Sequence, residues 1–181
     1  MVLQLFVLKQ QYMKSLLPLV LLFGTISSCN SDQTPAPPPA VDWNKKRATI
    51  SKVDSLQKGS TYLSVYSHIY ALSEKRTANL TATISMRNTS QTDTLFITKA
   101  EYFDTHGKSL KNYIDNSIFL APMETAEIII EQNDTSGGSG ANFIFDWKIK
   151  PGAPEPLFEA IMISTSGQQG LSFTTQGKRI K

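Results

Sequence analysis

From Gly59 onward, apolar residues recur at every second position. Leu80, Ala82, Ile84 and Met86 alternate with Thr81, Thr83, Ser85 and Arg87. Phe143, Phe145, Trp147 and Ile149 share another such face, and Leu171, Phe173 and Thr175 a third. A period of two lines one side of a strand, whereas a helix needs recurrence every three to four residues. Leu63, Val65, Ser67 and Ile69 fall on one face of a further strand, with Tyr62, Tyr66, His68 and Tyr70 on the other. Segments 94–103, 108–114, 117–120 and 125–132 read as strands, and 157–164 is apolar on both faces, as a central strand would be. Turn chemistry separates these runs at His106-Gly107, at 150–156 (KPGAPEP) and at 165–170 (TSGQQG). The expectation is an all-β chain, an immunoglobulin-like antiparallel β-sandwich of about seven to eight strands. Packing around Trp147 would replace the inter-sheet disulfide, because the chain has a single cysteine.

That cysteine, Cys29, ends an apolar run. Met13-Lys14-Ser15 is a basic start, 16–23 (LLPLVLLF) is apolar, and Ile26-Ser27-Ser28 precedes Cys29. A basic head, a short apolar core and small residues before a cut site make a secretory signal peptide. A spanning helix needs about 20 apolar residues, and this run is shorter and holds Pro18 and Gly24. Ile26-Ser27-Ser28-Cys29 resembles a bacterial lipobox. By that resemblance residues 1–28 are removed and Cys29 carries acyl chains such as palmitate. Met13 offers a second start, since the signal is complete from there. Two or more chains anchor stably where one does not. Asn30 is not the aspartate associated with inner-membrane retention, which favours the outer membrane of a cell that has one.

Residues 29–58 then form a lipid-anchored tether and polar segment. The stretch 31–40 (SDQTPAPPPA) is proline-rich and extends at roughly 3.1 Å per residue. Ile50, Val53 and Leu56 recur at three-residue spacing, which predicts a short helical segment. Residues 59–181 are long enough for one domain with its own core. Removing 1–28 takes away Lys9 and Lys14 and no acid, so 18 basic residues become 16 against 15 acidic ones. A net charge of +1 gives no support for a nucleic-acid partner. With Cys29 acylated, no thiol is left for a disulfide or a thiolate metal site.

Three loops, 88–93 (NTSQTD), 133–142 (NDTSGGSGAN) and 165–170 (TSGQQG), consist mostly of Ser, Thr, Asn, Gln and Gly. Counting strands onward from 88 places all three at one end of the sandwich, and His106 at the other. Loops on a rigid scaffold often carry binding residues. The expected ligand contacts are Asn133, Asp134, Ser136, Gly137, Gly138, Ser139 and Gly140, with Ser166, Gln168 and Gln169. Gly137, Gly138 and Gly140 would turn backbone N–H groups outward to cradle an anion or a sugar. Asp93, Asn133 and Asp134 could offer oxygens to calcium, but the loop departs from an Asp-x-Ser-x-Ser pattern at Gly138, and no metal or cofactor is assigned. Ser136 or Ser139 could serve as a nucleophile only with a base in reach, and neither His68 nor His106 is placed beside them by the strand count. Loops of this composition are also commonly mere connections.

Five segments carry a family resemblance: 66–70 (YSHIY), 87–90 (RNTS), 101–104 (EYFD), 134–143 (DTSGGSGANF) and 154–178 (PEPLFEAIMISTSGQQGLSFTTQGK). Over 62–180 the chain resembles a bacterial family of unassigned activity, domain of unknown function 3124. The resemblance implies a secreted or lipid-anchored envelope protein with a β-sandwich. It implies no mechanism and carries over no functional residue.

The function expected is that of a non-enzymatic binding or interaction module, anchored in the membrane by lipid. Its partner would be an envelope protein or a glycan, met through the polar loop end. The alternatives are a structural or assembly subunit pairing through a sheet edge or the tyrosine face, and a serine hydrolase.

Overall fold

Alternate residues of most strands are buried in the computed structural model, which describes residues 41–51, 55–165 and 170–181. Cys29, Val53, Ser166, Gln168 and Gln169 lie outside the described residues. The remainder belongs to a single unit, Ala40–Lys181. Among the described residues there are twelve strands: β1 (Gln57–Val65), β2 (His68–Ala71), β3 (Ser73–Asn79), β4 (Thr81–Arg87), β5 (Leu95–Phe103), β6 (Ser109–Asn112), β7 (Ile118–Leu120), β8 (Thr125–Ile130), β9 (Ala141–Ile149), β10 (Leu157–Ser164), β11 (Leu171–Gln176) and β12 (Lys178–Arg179). The fold is all-β, as expected, but with more than seven to eight strands. The excess comes from short pieces: a separate hairpin β2–β3, the fragments β6 and β7, and the two-residue β12.

Two antiparallel sheets pack face to face. The first has the order β12-β1-β9-β5-β6, with β7 also on β5, and the second β11-β10-β4-β8. The strand expected to be central, β10, is flanked by β11 and β4. The pairs β4–β8 and β5–β9 take the places of the B–E and C–F pairs of an immunoglobulin sandwich. The flanking strands come from unusual points in the chain. The N-terminal β1 lies beside β9, and the late strand β10 lies beside β4.

The inner faces supply the core. Leu63 and Val65 from β1, Phe143, Phe145 and Trp147 from β9, and Ile97 from β5 meet Ile84, Met86, Ile128, Phe158 and Met162 of the other sheet. An aromatic line runs through it, Tyr102–Phe143–Phe145–Phe158, with centroids 4.9, 5.3 and 4.4 Å apart. Burying each such ring contributes about 1.5–3 kcal/mol. A register shift between Ile97 and Lys99 inserts one extra residue into β5 opposite β9. The bulge lets Ala100 and Tyr102 point inward after Leu95 and Ile97, although the spacing changes parity. Without a disulfide, Trp147 anchors the core through a 3.0 Å bond from its indole N–H to Thr61 Oγ1. Gly59 makes room for that ring, since a Cβ there would lie 2.1 Å from it.

No helical turn forms at Ile50 or Leu56. A 3-10 turn forms earlier, at Trp43–Lys46, where the Asp42 carboxylate accepts the Asn44 N–H at 3.1 Å.

Candidate functional site

The direction of each strand decides which loops meet. Leu157 lies opposite Arg87 and Gln57 opposite Ile149, so 88–93, 121–124 and 150–156 share one end. Val65 lies opposite Ala141 and Phe103 opposite Asn142, so hairpin β2–β3, turn 104–108 and loop 131–140 share the other. Ser164 pairs with Leu171 at that second end too. Loop 88–93 is therefore not with the other two, and His106 stands at the same end as Ser136. The strand count failed because β6 and β7 run in the same direction, along two halves of β5. They act as one interrupted strand, and counting them twice inverted everything that followed.

Loop 88–93 is organised around Asn88, which is buried. Its Nδ2 donates to the carbonyls of Asp93, Leu120 and Ala121 at 2.8–3.0 Å, and its Oδ1 accepts Ser90 N–H at 3.0 Å. Asp93 pairs with Lys150 at 3.3 Å. These groups tie loops together and leave Asp93 compensated.

The second end brings together three of the motif segments, around Ser67, around Tyr102 and over 134–143. Ser67 is fully buried, its hydroxyl 2.9 Å from the Tyr102 hydroxyl. Ser67 N–H donates to Gly138 O at 3.0 Å. Thr105 donates twice to Gly137 O, through its N–H and its Oγ1, both at 3.0 Å. In return Thr105 Oγ1 accepts Gly140 N–H at 2.9 Å. Gly138 has φ 79°, a left-handed conformation that glycine adopts without a Cβ clash. The glycines thus serve close packing and hydrogen bonding inside the protein. The amides of Gly138 and Gly140 are used internally, by Thr135 O and Thr105 Oγ1, rather than turned out to a ligand.

What remains exposed is the rim. Asn133, Asp134, Thr135 and Ser136 are exposed, Ser139 half-buried. Asp134 Oδ1 accepts both Ser136 N–H at 3.1 Å and Ser136 Oγ–H at 2.5 Å. Ser136 therefore faces a carboxylate within its own turn. Among the described residues no histidine bonds to it, which leaves a serine nucleophile without its base. Burial pushes the Tyr102 phenol above its ordinary pKa. The Ser67 bond opposes that, and the negative charge of Asp134 adds to it. Tyr113 is raised by burial first and by Asp134 second. Among the described residues no group of three or more His, Cys, Asp or Glu is placed to hold a metal ion.

Hairpin β2–β3 stands beside this rim and was not foreseen as a separate element. The expected tyrosine row breaks where the chain leaves β1. Tyr62 stays on β1, Tyr66 packs edge-on against Phe173 at 5.6 Å, and Tyr70 moves to the hairpin, 61% exposed. At the tip Ala71 lies opposite Ser73, and Leu72 between them has φ 67° and is 92% exposed. Lys75 and Arg76 follow in a stretch that bulges from the pairing. A groove of about 540 Å³ runs between hairpin and loop, lined by Leu72, Arg76, Ala78, Asn79 and Gln132 among others. The break after β1 carries no signal, because alternation continues across it, whereas the polar run 73–77 (SEKRT) could have marked the hairpin.

No curated protein matches the sequence. Among solved structures, the crystal structure of Thermotoga maritima 1070 is similar with a TM-score of 0.43 and 8% identity, over 66% of this chain and 92% of that one. A likeness that slight bears on nothing further. The model of a family described as protein of unknown function (DUF3124) matches residues 58–180, which contain the whole buried core and both sheets. The chain belongs to that family.

Proposed function

We propose that this protein is a non-enzymatic binding module of the bacterial cell envelope, held to a membrane by acylation of Cys29. Its contact surface is the end formed by hairpin β2–β3 and loop 131–140, and its partner is an envelope protein. Leu72 carries the reading. A leucine with φ near 67° occupies a conformation that costs roughly 1–2 kcal/mol for a residue with a Cβ. It also leaves a large apolar side chain in water beside an exposed tyrosine and a groove. Strain and apolar exposure held together on a rigid scaffold are the mark of a surface kept for a partner. The lipobox-like run before Cys29 supports the anchor. The ion pair of Lys46 with Glu124 ties the segment after the tether to the opposite end, which leaves the hairpin free to reach outward.

The test is capture from membranes with the full-length protein, as wild type and as Leu72→Asp with Tyr70→Ser. A protein retained by the wild type and lost from the double variant supports the reading. Equal retention by both overturns the hairpin surface. For the anchor, Cys29→Ser is expected to leave the protein unprocessed or move it to the soluble fraction. Unchanged processing and membrane association would sink the lipobox assignment.

A further inference from the structure

On the outer face of the first sheet, toward the end opposite the hairpin rim, lies a cleft of about 270 Å³. Alternation puts Thr61, Leu63 and Val65 inward, so Lys58 and Ser60 face out; on β9, Asp146 and Lys148 face out beside them. Lys58 and Lys148 are direct cross-strand partners. Like charges directly opposite on neighbouring strands destabilise a sheet, and a sheet built only for stability would place opposite charges there. Lys181 completes the rim. The chain's last residues are pinned to β1 by Ile180 N–H to Ser60 O at 2.8 Å and Ser60 N–H to Lys181 O at 3.2 Å.

The Asp146 carboxylate in the cleft is engaged by a neighbouring hydroxyl. Asp146 Oδ1 accepts the Ser60 hydroxyl at 2.6 Å. Lys99, the other cation beside Asp146 in register, is paired instead with Glu101. Among the side chains lining the cleft, three lysines stand beside one aspartate. A phosphate monoester carries about −1.5 to −2 at pH 7, an anion to which such a group of lysines offers opposite charge. Asp146 still has acceptor capacity for a ligand hydroxyl, and Thr98 lines the same floor, its hydroxyl donating to Asp146 O at 3.1 Å.

We propose that this cleft binds a phosphate monoester carried on a polyol, a sugar phosphate, with Lys58, Lys148 and Lys181 on the phosphate and Asp146 on a neighbouring hydroxyl. The reading is independent of the hairpin surface. The test uses the full-length protein in detergent, titrated with glucose 6-phosphate, inorganic phosphate and glucose, against sodium chloride at matched ionic strength. Glucose 6-phosphate is expected to raise the melting temperature beyond chloride, inorganic phosphate to do so less, and glucose not at all. Lys148→Gln is expected to weaken glucose 6-phosphate binding by roughly tenfold. Lys58→Glu creates an opposite-charge pair with Lys148, so it should melt at or above the wild-type temperature and yet lose binding. The proposal is overturned if neither phosphate compound exceeds chloride, or if both variants bind as the wild type does. Equal binding of inorganic phosphate and glucose 6-phosphate overturns the sugar part, because Asp146 would then contribute nothing.

Discussion

Gly137 lies so close to Tyr102 that a Cβ at position 137 would stand 1.8 Å from the phenolic oxygen. The contact joins loop 131–140 to the end of β5. It explains why a Gly-rich loop that reads as a ligand cradle is instead closed on its own domain. Gly137→Ala must displace the Tyr102 ring or the loop, and with them the bond to Ser67. The expected loss is about 1–3 kcal/mol of stability, read by urea denaturation. A loss within a few tenths of that for an exposed substitution such as Thr135→Ala would contradict the packing.

The indole of Trp147 has its polar atom satisfied by Thr61. Thr61→Val keeps the shape and leaves the buried N–H without an acceptor, at a cost of about 1–3 kcal/mol. The emission of Trp147 reports whether the ring stays in place.

Asn88 joins three carbonyls that belong to two separate turns. Asn88→Asp replaces its donor with an acceptor facing those oxygens. It is expected to destabilise more than Asn88→Ala, and both by more than about 1 kcal/mol, in chemical unfolding at neutral pH. The reverse order would mean the amide is not the organising group.

Glu124 links the segment around Lys46 to the turn before β8. Burial alone, the largest influence, would raise its pKa. The Lys46 ammonium and the Ala121 N–H together outweigh it and hold the carboxyl below its ordinary value of 4.5. A lowered folded-state pKa means the stabilisation is fully present above the unfolded value and is lost as pH falls through the folded one. Glu124→Gln should therefore cost about 1 kcal/mol at pH 7. Thermal melts of variant and wild type should converge as pH drops below about 4.5. A gap that stays constant down to pH 3 would show that the charge plays no part.

Leu72→Gly removes both the strain and the exposed side chain. Stability is expected to rise by about 1 kcal/mol while capture of a partner falls, a trade that a purely structural hairpin would not show.

Much of this architecture can be read from residue order. The alternation in β4, β9 and β11 and the two-sided apolar character of β10 specify strands, faces and a two-sheet core. Asn88 and Gly107 sit at turns as their chemistry suggests. The loop grouping could not be read, because two short strands on one edge of β5 look like two reversals of direction. Nor could the tyrosine row, since alternation through 62–70 is unbroken while the chain changes sheets at Tyr66. Ser67 and Tyr102, which help hold the hairpin end together, carried only the hint of lying in separate motif segments, and Thr105 lay outside all of them.

By itself, then, the sequence determined the all-β class, the inward and outward faces of most strands, and the expectation of an anchor at Cys29. Those are local properties, set by the two-residue period of a strand and by contiguous patterns. Tertiary structure decided which loops are neighbours, that the glycines of 137–140 face Tyr102 and Thr105, and that Lys58 stands opposite Lys148. Each of those depends on strand direction and register, which are fixed by pairing between residues distant in the chain.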